Sequence, residues 1–274
     1  MVKYTMTEPH YKIDCIDYQA QHVEYLEECG EIDTRLAKVY KGDGQYMIIR
    51  PPSLEDNRRL DTPPGTYNEI ANDFGTLLEE LKTFDINVPD YQMFVSDIHT
   101  AEGHYGKGLC IASDYIHGKC LPLEMNGEWN GNSKLFYKRM EQWLYSMSMY
   151  MSAKYLSSDF NNFFLSDVCR PIQFVYSFDN SSTYLVDLDP LYNKVIDDNG
   201  KINERFLIGI NTLSNVKNRY FNKGYKDGFV DKKWGEKSRL ILGKLVSDRD
   251  FENRAMSTEY SKRVLKNLKN GLRI

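Results

Sequence analysis

Apolar positions change period along the chain, and the changes mark its elements. Tyr11, Ile13 and Cys15 alternate with polar residues and predict a short strand. Residues 20–29 read as a helix ending at Gly30, a residue suited to the left-handed turn that closes helices. Two β-prone runs, 35–41 and 45–50, flank Gly42-Asp43-Gly44, the composition of a tight hairpin turn. Pro51-Pro52 ends the second run, because proline cannot donate to a ladder. A polar, Pro- and Gly-rich loop then leads to a helix predicted over 67–84, where Ile70, Phe74, Leu77, Leu78 and Leu81 hold one face. Ile86-Asn87-Val88-Pro89 breaks it. Residues 92–95 read as a strand, 97–107 as a polar turn, and 108–116 as a further strand closed by Gly118.

Residues 122–132 are rich in Pro, Gly and Asn and read as a connector. The strongest helix follows over 133–155. Leu135, Phe136, Met140, Trp143, Leu144, Met147, Met151 and Tyr155 recur there at three- and four-residue steps, the stripe of a core helix. After it come a polar loop with Asp159, Asn161 and Asn162, then strands predicted at 163–165, 171–176 and 184–186. Helices over 203–218, 232–245 and 257–268 complete the chain. A β-rich first part and a helical second part predict an α+β protein with domains 1–118 and 119–274.

Composition narrows the reading. Hydrophobic content of 41% and charge of 27% are those of a globular chain of 274 residues, long enough to bury a core. The net charge of -4 argues against a broad nucleic-acid surface. Lys232, Lys233, Lys237, Arg239 and Lys244 cluster, and read as a solvated helix face. Five cysteines form no CxxC pair, so neither zinc nor a disulfide framework is expected. His99 and His104 have no third ligand nearby and read as loop residues. The first eleven residues lack an apolar stretch, and no run is long enough for a membrane span, so the expectation is a cytoplasmic protein without membrane or nucleic-acid partners.

The chemistry concentrates at strand ends. Leu185-Val186-Asp187-Leu188-Asp189-Pro190 is a strand running into two carboxylates, oxygen ligands of the kind that hold Mg²⁺. Arg50 is a cation at the end of the hairpin, where it can meet either a helix carboxylate or phosphate oxygens.

In order, the chain has a hairpin ending in a cation, an acidic helix, two strands, a long apolar helix, an Asp/Asn loop and a strand ending in Asp. This order resembles the protein-kinase-like fold, closest to the aminoglycoside and choline phosphotransferase branch. The motifs that carry it are Val39 to Arg50, Leu81 to Pro89, Ser113-Asp114-Tyr115-Ile116-His117-Gly118, and Leu185-Val186-Asp187. They span residues 34–190. The resemblance implies two lobes, an N-terminal antiparallel β lobe with one helix and a mainly helical C-terminal lobe. It implies ATP and Mg²⁺ as cofactors and a hydroxyl acceptor, either a small molecule or a protein Ser/Thr. Arg50 would contact the nucleotide phosphates, anchored by Glu69 or Asp73, and the backbone of Asp114, Tyr115 and Ile116 would hold adenine. Asn162, Asp187 and Asp189 would bind the metal, and Asp159 would take the acceptor's proton. Two stretches depart from the pattern: the segment before Ala37 is poor in glycine, and Asp159 stands three residues before Asn162 where the family has five. Those departures define the alternative, a pseudokinase acting through protein contacts.

Overall fold

The structure, a computed structural model, describes residues 11–13, 23–28, 31–42, 45–50, 63–100, 103–121, 133–157, 160–165, 168–186, 188, 190, 192–218 and 232–273. It is an α+β chain whose strand pairs are antiparallel. The strands are β1 (Tyr11–Ile13), β2 (Val23–Glu28), β3 (Glu31–Gly42), β4 (Gln45–Arg50), β5 (Tyr91–Thr100), β6 (Gly103–Asp114), β7 (Gly118–Cys120), β8 (Phe163–Leu165), β9 (Phe174–Ser177), β10 (Thr183–Leu185) and β11 (Tyr192–Lys194). The helices are α1 (Pro64–Thr83), α2 (Ser133–Leu156), α3 (Glu204–Val216), α4 (Lys232–Val246), α5 (Arg249–Ala255) and α6 (Glu259–Leu272). Two compact units result. The first takes Met1–Thr76, Pro89–His117 and Val186–Pro190, and the second takes Leu77–Val88, Gly118–Leu185 and Leu191–Ile274.

In the first unit six strands lie in the order β1-β5-β6-β4-β3-β2. The expected hairpin is β3 and β4, with Ala37 opposite Ile49 and Tyr40 opposite Tyr46. Its tip, Asp43-Gly44, lies outside the described residues. The first half of α1 packs on β5 and β6: Phe74 meets the Tyr91 ring edge-on at 6.5 Å, and the Tyr67 hydroxyl donates to Lys107 O at 2.9 Å.

Two expectations are corrected here. Residues 20–29 do not form a helix; Val23–Glu28 is β2, with Val23 opposite Val39 and Tyr25 opposite Ala37. A β-branched and an aromatic residue two apart suit a pleated edge, and the ladder with β3 overrides the weak helical signal. Residues 97–107 are not a free turn either. β5 and β6 run on through them, pairing Asp97 with Lys107 and His99 with His104. Backbone groups pair whatever the side chains, and opposite charges across a ladder are favourable partners.

The second unit is organised by α2. Phe136, Tyr137, Met140, Trp143, Leu144, Met147, Tyr150 and Met151 are buried, but so are Glu141, Ser148 and Lys154 on its other sides. A helix covered on nearly every side is a core helix rather than a surface one. The last turns of α1 belong to this unit, with Leu77, Leu78 and Leu81 fully buried. α1 ends in a Schellman motif: Asp85 N–H donates to Lys82 O and Ile86 N–H to Leu81 O, with Asp85 left-handed at φ 58°. Buried Ile86 and Leu81 are the apolar pair that accompanies this closure. Asn203, Asp248 and Thr258 cap α3, α5 and α6 through their side chains. α5 was not anticipated. Residues 171–176 open with a 3-10 turn, Pro171–Gln173, before β9 begins, because Pro171 cannot donate to a ladder. Sheet β10-β9-β7 and ribbon β11-β8 complete the unit.

Cys110 and Cys169 are buried and outside any disulfide, whereas Cys120 is disulfide-bonded, a bridge the sequence reading did not expect. Two cysteines far apart in the chain leave no spacing signal by which sequence could pair them. Among the described residues no helix is long and apolar enough to cross a membrane.

Two backbone positions generate tests. A Cβ on Gly118 would lie 2.2 Å from Tyr176 O, so Gly118→Ala must push β7 off β9. The expected loss is about 1–3 kcal/mol, read as a lower urea midpoint. Asp85→Gly should instead stabilise the chain by about 0.5–1 kcal/mol, since glycine enters the left-handed region without the side-chain penalty.

Candidate functional site

In the first unit the sheet buries the end of its hairpin. Arg50 is 5% exposed, opposite Ile111 of β6. Three residues back along the same ladder, Met47 stands opposite Asp114. At roughly 3.3 Å per residue the register sets Arg50 about 10 Å along the strands from the start of segment 114–116. Of the two helix acids expected near Arg50, Glu69 is exposed and Asp73 half-buried. A buried guanidinium needs a partner withdrawn from water, which favours Asp73 over Glu69 as its anchor.

In segment 114–116, Asp114 N–H donates to Asp90 O and Tyr115 N–H to Tyr46 O. Both backbone donors are therefore engaged in the unit. Ile116 N–H makes no backbone hydrogen bond among the described residues. The Tyr115 ring has a neighbour of its own: Lys38 Nζ sits 4.1 Å from its centroid and 4.2 Å from that of Tyr46, a cation between two π faces.

The second unit holds Asn162. Its side-chain Nδ2 donates to Ile196 O at 2.8 Å, its Oδ1 accepts Ile196 N–H at 3.0 Å, and its backbone O accepts Val195 N–H at 2.8 Å. The amide thus continues the β8-β11 ladder by one more rung. Asn161 is fixed as well. Its Oδ1 accepts from Phe163 N–H at 3.0 Å and from Lys154 Nζ at 2.8 Å. Lys154 Nζ also meets Glu80 Oε2 at 2.7 Å, with no exposed lysine side-chain surface. Burial pushes the Lys154 ammonium below its usual pKa, and Glu80 draws it part of the way back. Burial, then Glu80, raise the neighbouring Tyr150 hydroxyl well above its ordinary value.

Asp159, Asp187 and Asp189 lie outside the described residues. Strand pairing nevertheless bears on where the chemistry of this chain belongs. Leu165 is registered with Tyr192, and Phe174 with Leu185. The connections 166–173 and 186–191 therefore run between the same two strand pairs. The first contains Asp167, itself outside the described residues, which the sequence reading passed over. The available signal was the hairpin of β9 and β10 immediately before Asp187. It pairs the strand that follows connection 166–173 with the strand that precedes Asp187.

No family model matches the chain, and no curated protein matches it. Among solved structures, the apo form of a pseudokinase is similar over 87% of this chain and 87% of its own, with 11% identity and a TM-score of 0.39. A superposition at that score carries no argument, and the case rests on the chain's own residues.

The Lys154 cluster can be tested directly. Lys154→Met leaves Glu80 buried without its cation and should cost about 3–5 kcal/mol, measured by denaturant unfolding. A lysine whose pKa is lower folded than unfolded binds fewer protons in the native state between those two values. Its contribution to stability should therefore rise with pH across that alkaline window and be least below it. The Lys154→Met chain should lack this rise.

Proposed function

We propose that the chain is an ATP- and Mg²⁺-dependent phosphotransferase of kinase-like, two-lobed architecture, acting on a hydroxyl acceptor that is either a small molecule or a protein. One observation carries the reading. A buried arginine and a backbone segment with an open N–H lie about 10 Å apart along one ladder, a span comparable to that from an adenine edge to its nucleotide phosphates. Arg50 would take the phosphate charge, Asp73 would orient Arg50, and Ile116, with Asp114 and Tyr115, would hold the base. Residues of this chemistry fit a nucleotide: a guanidinium for phosphate oxygens and a backbone donor for a ring nitrogen.

Asp187 and Asp189 supply the carboxylates suited to Mg²⁺. The bound nucleotide and metal supply the phosphoryl group and neutralise its charge. The chain's remaining task is to accept the proton of the acceptor hydroxyl. Asp159 is the candidate within the polar loop, and Asp167, in the connection between β8 and β9, is a second.

A second reading has its own support. The Asn162 amide is engaged at both ends by Ile196, a structural use of the residue expected to assist the metal. A pseudokinase that binds nucleotide without transferring phosphate would accommodate that use.

Mg·ATP at a hundred times its Kd should stabilise the chain by about 2.7 kcal/mol in a thermal shift assay, and Arg50→Ala should abolish the shift. Absence of any shift in the unaltered chain would sink the phosphotransferase reading. Transfer to an acceptor should vanish in Asp187→Ala, and unchanged turnover there would remove the metal assignment. If Asp167 is the base, Asp167→Asn should lower transfer by about 10²–10⁴-fold while Asp159→Asn leaves it within a fewfold. Binding without transfer would select the pseudokinase reading.

A further inference from the structure

Within the second unit, α2, the turn after α1, the β9-β10 hairpin and the start of α4 enclose a cleft of about 380 Å³. That volume falls among small-molecule sites. Its walls are mixed. Trp143 packs edge-on to Phe174 at 5.4 Å, and Tyr145 edge-on to Trp234 at 5.1 Å. Two described cations stand by them: Lys237 Nζ lies 4.5 Å from the Trp234 ring centroid and 5.8 Å from that of Tyr145, and Arg139 lines the cleft itself. Arg139 of α2 is half-buried, its Nε donating to Ser181 O at 2.6 Å and its Nη1 to Gln142 Oε1 at 2.8 Å.

Both of those acceptors are neutral. No described carboxylate stands within ion-pair distance of Arg139. The two bonds pin the guanidinium and leave three of its five N–H donors, those at the end of the fork. A pinned, half-desolvated charge with no carboxylate partner among the described residues, walled by aromatic rings, concentrates positive potential in the cleft. Hydrogen bonding in the walls is also incomplete. Trp143 Nε1 and Thr183 Oγ1 are buried without partners, and Trp143 is only 4% exposed. Native proteins leave few such groups unmatched, and ligand sites are among the places where they occur. Asp85, the acid of the same cleft, is exposed at its rim, where solvent screens it.

We propose that this cleft binds a small organic carboxylate with a flat apolar body. The carboxylate would meet the free end of the Arg139 fork, and the body would lie among Trp143, Tyr145 and Trp234. The free end of one planar guanidinium matches a carboxylate, whereas phosphate sites recruit several backbone donors together. The inference does not depend on the nucleotide reading; none of these residues serves that site.

The probe is phenylacetate, titrated into the full chain at constant ionic strength and followed by tryptophan fluorescence. Two of the chain's three tryptophans line the cleft. A saturable change is expected, with a rise in thermal midpoint. Arg139→Gln should weaken the apparent Kd by about tenfold to a hundredfold, the loss of a charge-assisted hydrogen bond. Phenylacetamide, the neutral isostere, should bind at least about tenfold more weakly to the unaltered chain, which tests the charge even if Arg139→Gln fails to fold. Inorganic phosphate should not displace the probe. The proposal is overturned by any one of three results: no saturable response, equal binding of acid and amide, or phosphate competing as well as phenylacetate binds.

Discussion

An ammonium group with no exposed side-chain surface must be neutralised and hydrogen-bonded where it lies. Lys154 imposes that condition on three parts of the second unit. Glu80 must come from the last turns of α1, Asn161 from the loop before β8, and α2 must end where both can reach one nitrogen. The aromatic surround closes around the same point: Phe84 meets Tyr150 edge-on at 5.7 Å and Phe160 at a tilt at 5.5 Å. A hydrophobic replacement would demand less of its neighbours. What the ion pair adds is direction, because its hydrogen bonds hold for one arrangement of helix ends and loop only.

The direction propagates into β8. Asn161 turns the chain by bonding both Lys154 and Phe163 N–H, so the strand starts at a set point. Asn162 then reaches across to Ile196 and sets the register of β11. From there the β8-β11 ribbon and the β9-β10 hairpin determine which loops are neighbours in the chain's path. Within the polar loop, the side chains of Asn161 and Asn162 are thus used to fix the backbone.

The first unit obeys a different constraint. Its sheet must bury Arg50 at a strand end while leaving Tyr115 and Ile116 just past the last β4-β6 pair, Met47 and Asp114. The β4-β6 register meets both conditions at once, and Lys38 between Tyr46 and Tyr115 tethers the exit of β6 to β3.

Much of this was legible in the sequence. Periodicity located α1, α2 and α3, the β3-β4 hairpin and the strand before Asp187, since burying one face of a helix or a hairpin leaves its period in the residues. Arg50 at a strand end was legible for the same reason. Pairing was not. Whether 23–28 is helix or strand, whether 97–107 turns or continues as ladder, and whether Cys120 is bonded depend on residues distant in the chain, which impose no local period. Nor could sequence show that Glu69 is exposed and Asp73 half-buried, four residues apart on one helix. Asn162 shows the same limit most sharply. Its residue type suits both a metal and a ladder, and only the position of Ile196, thirty-four residues on and brought close by folding, determines which bonds its amide makes.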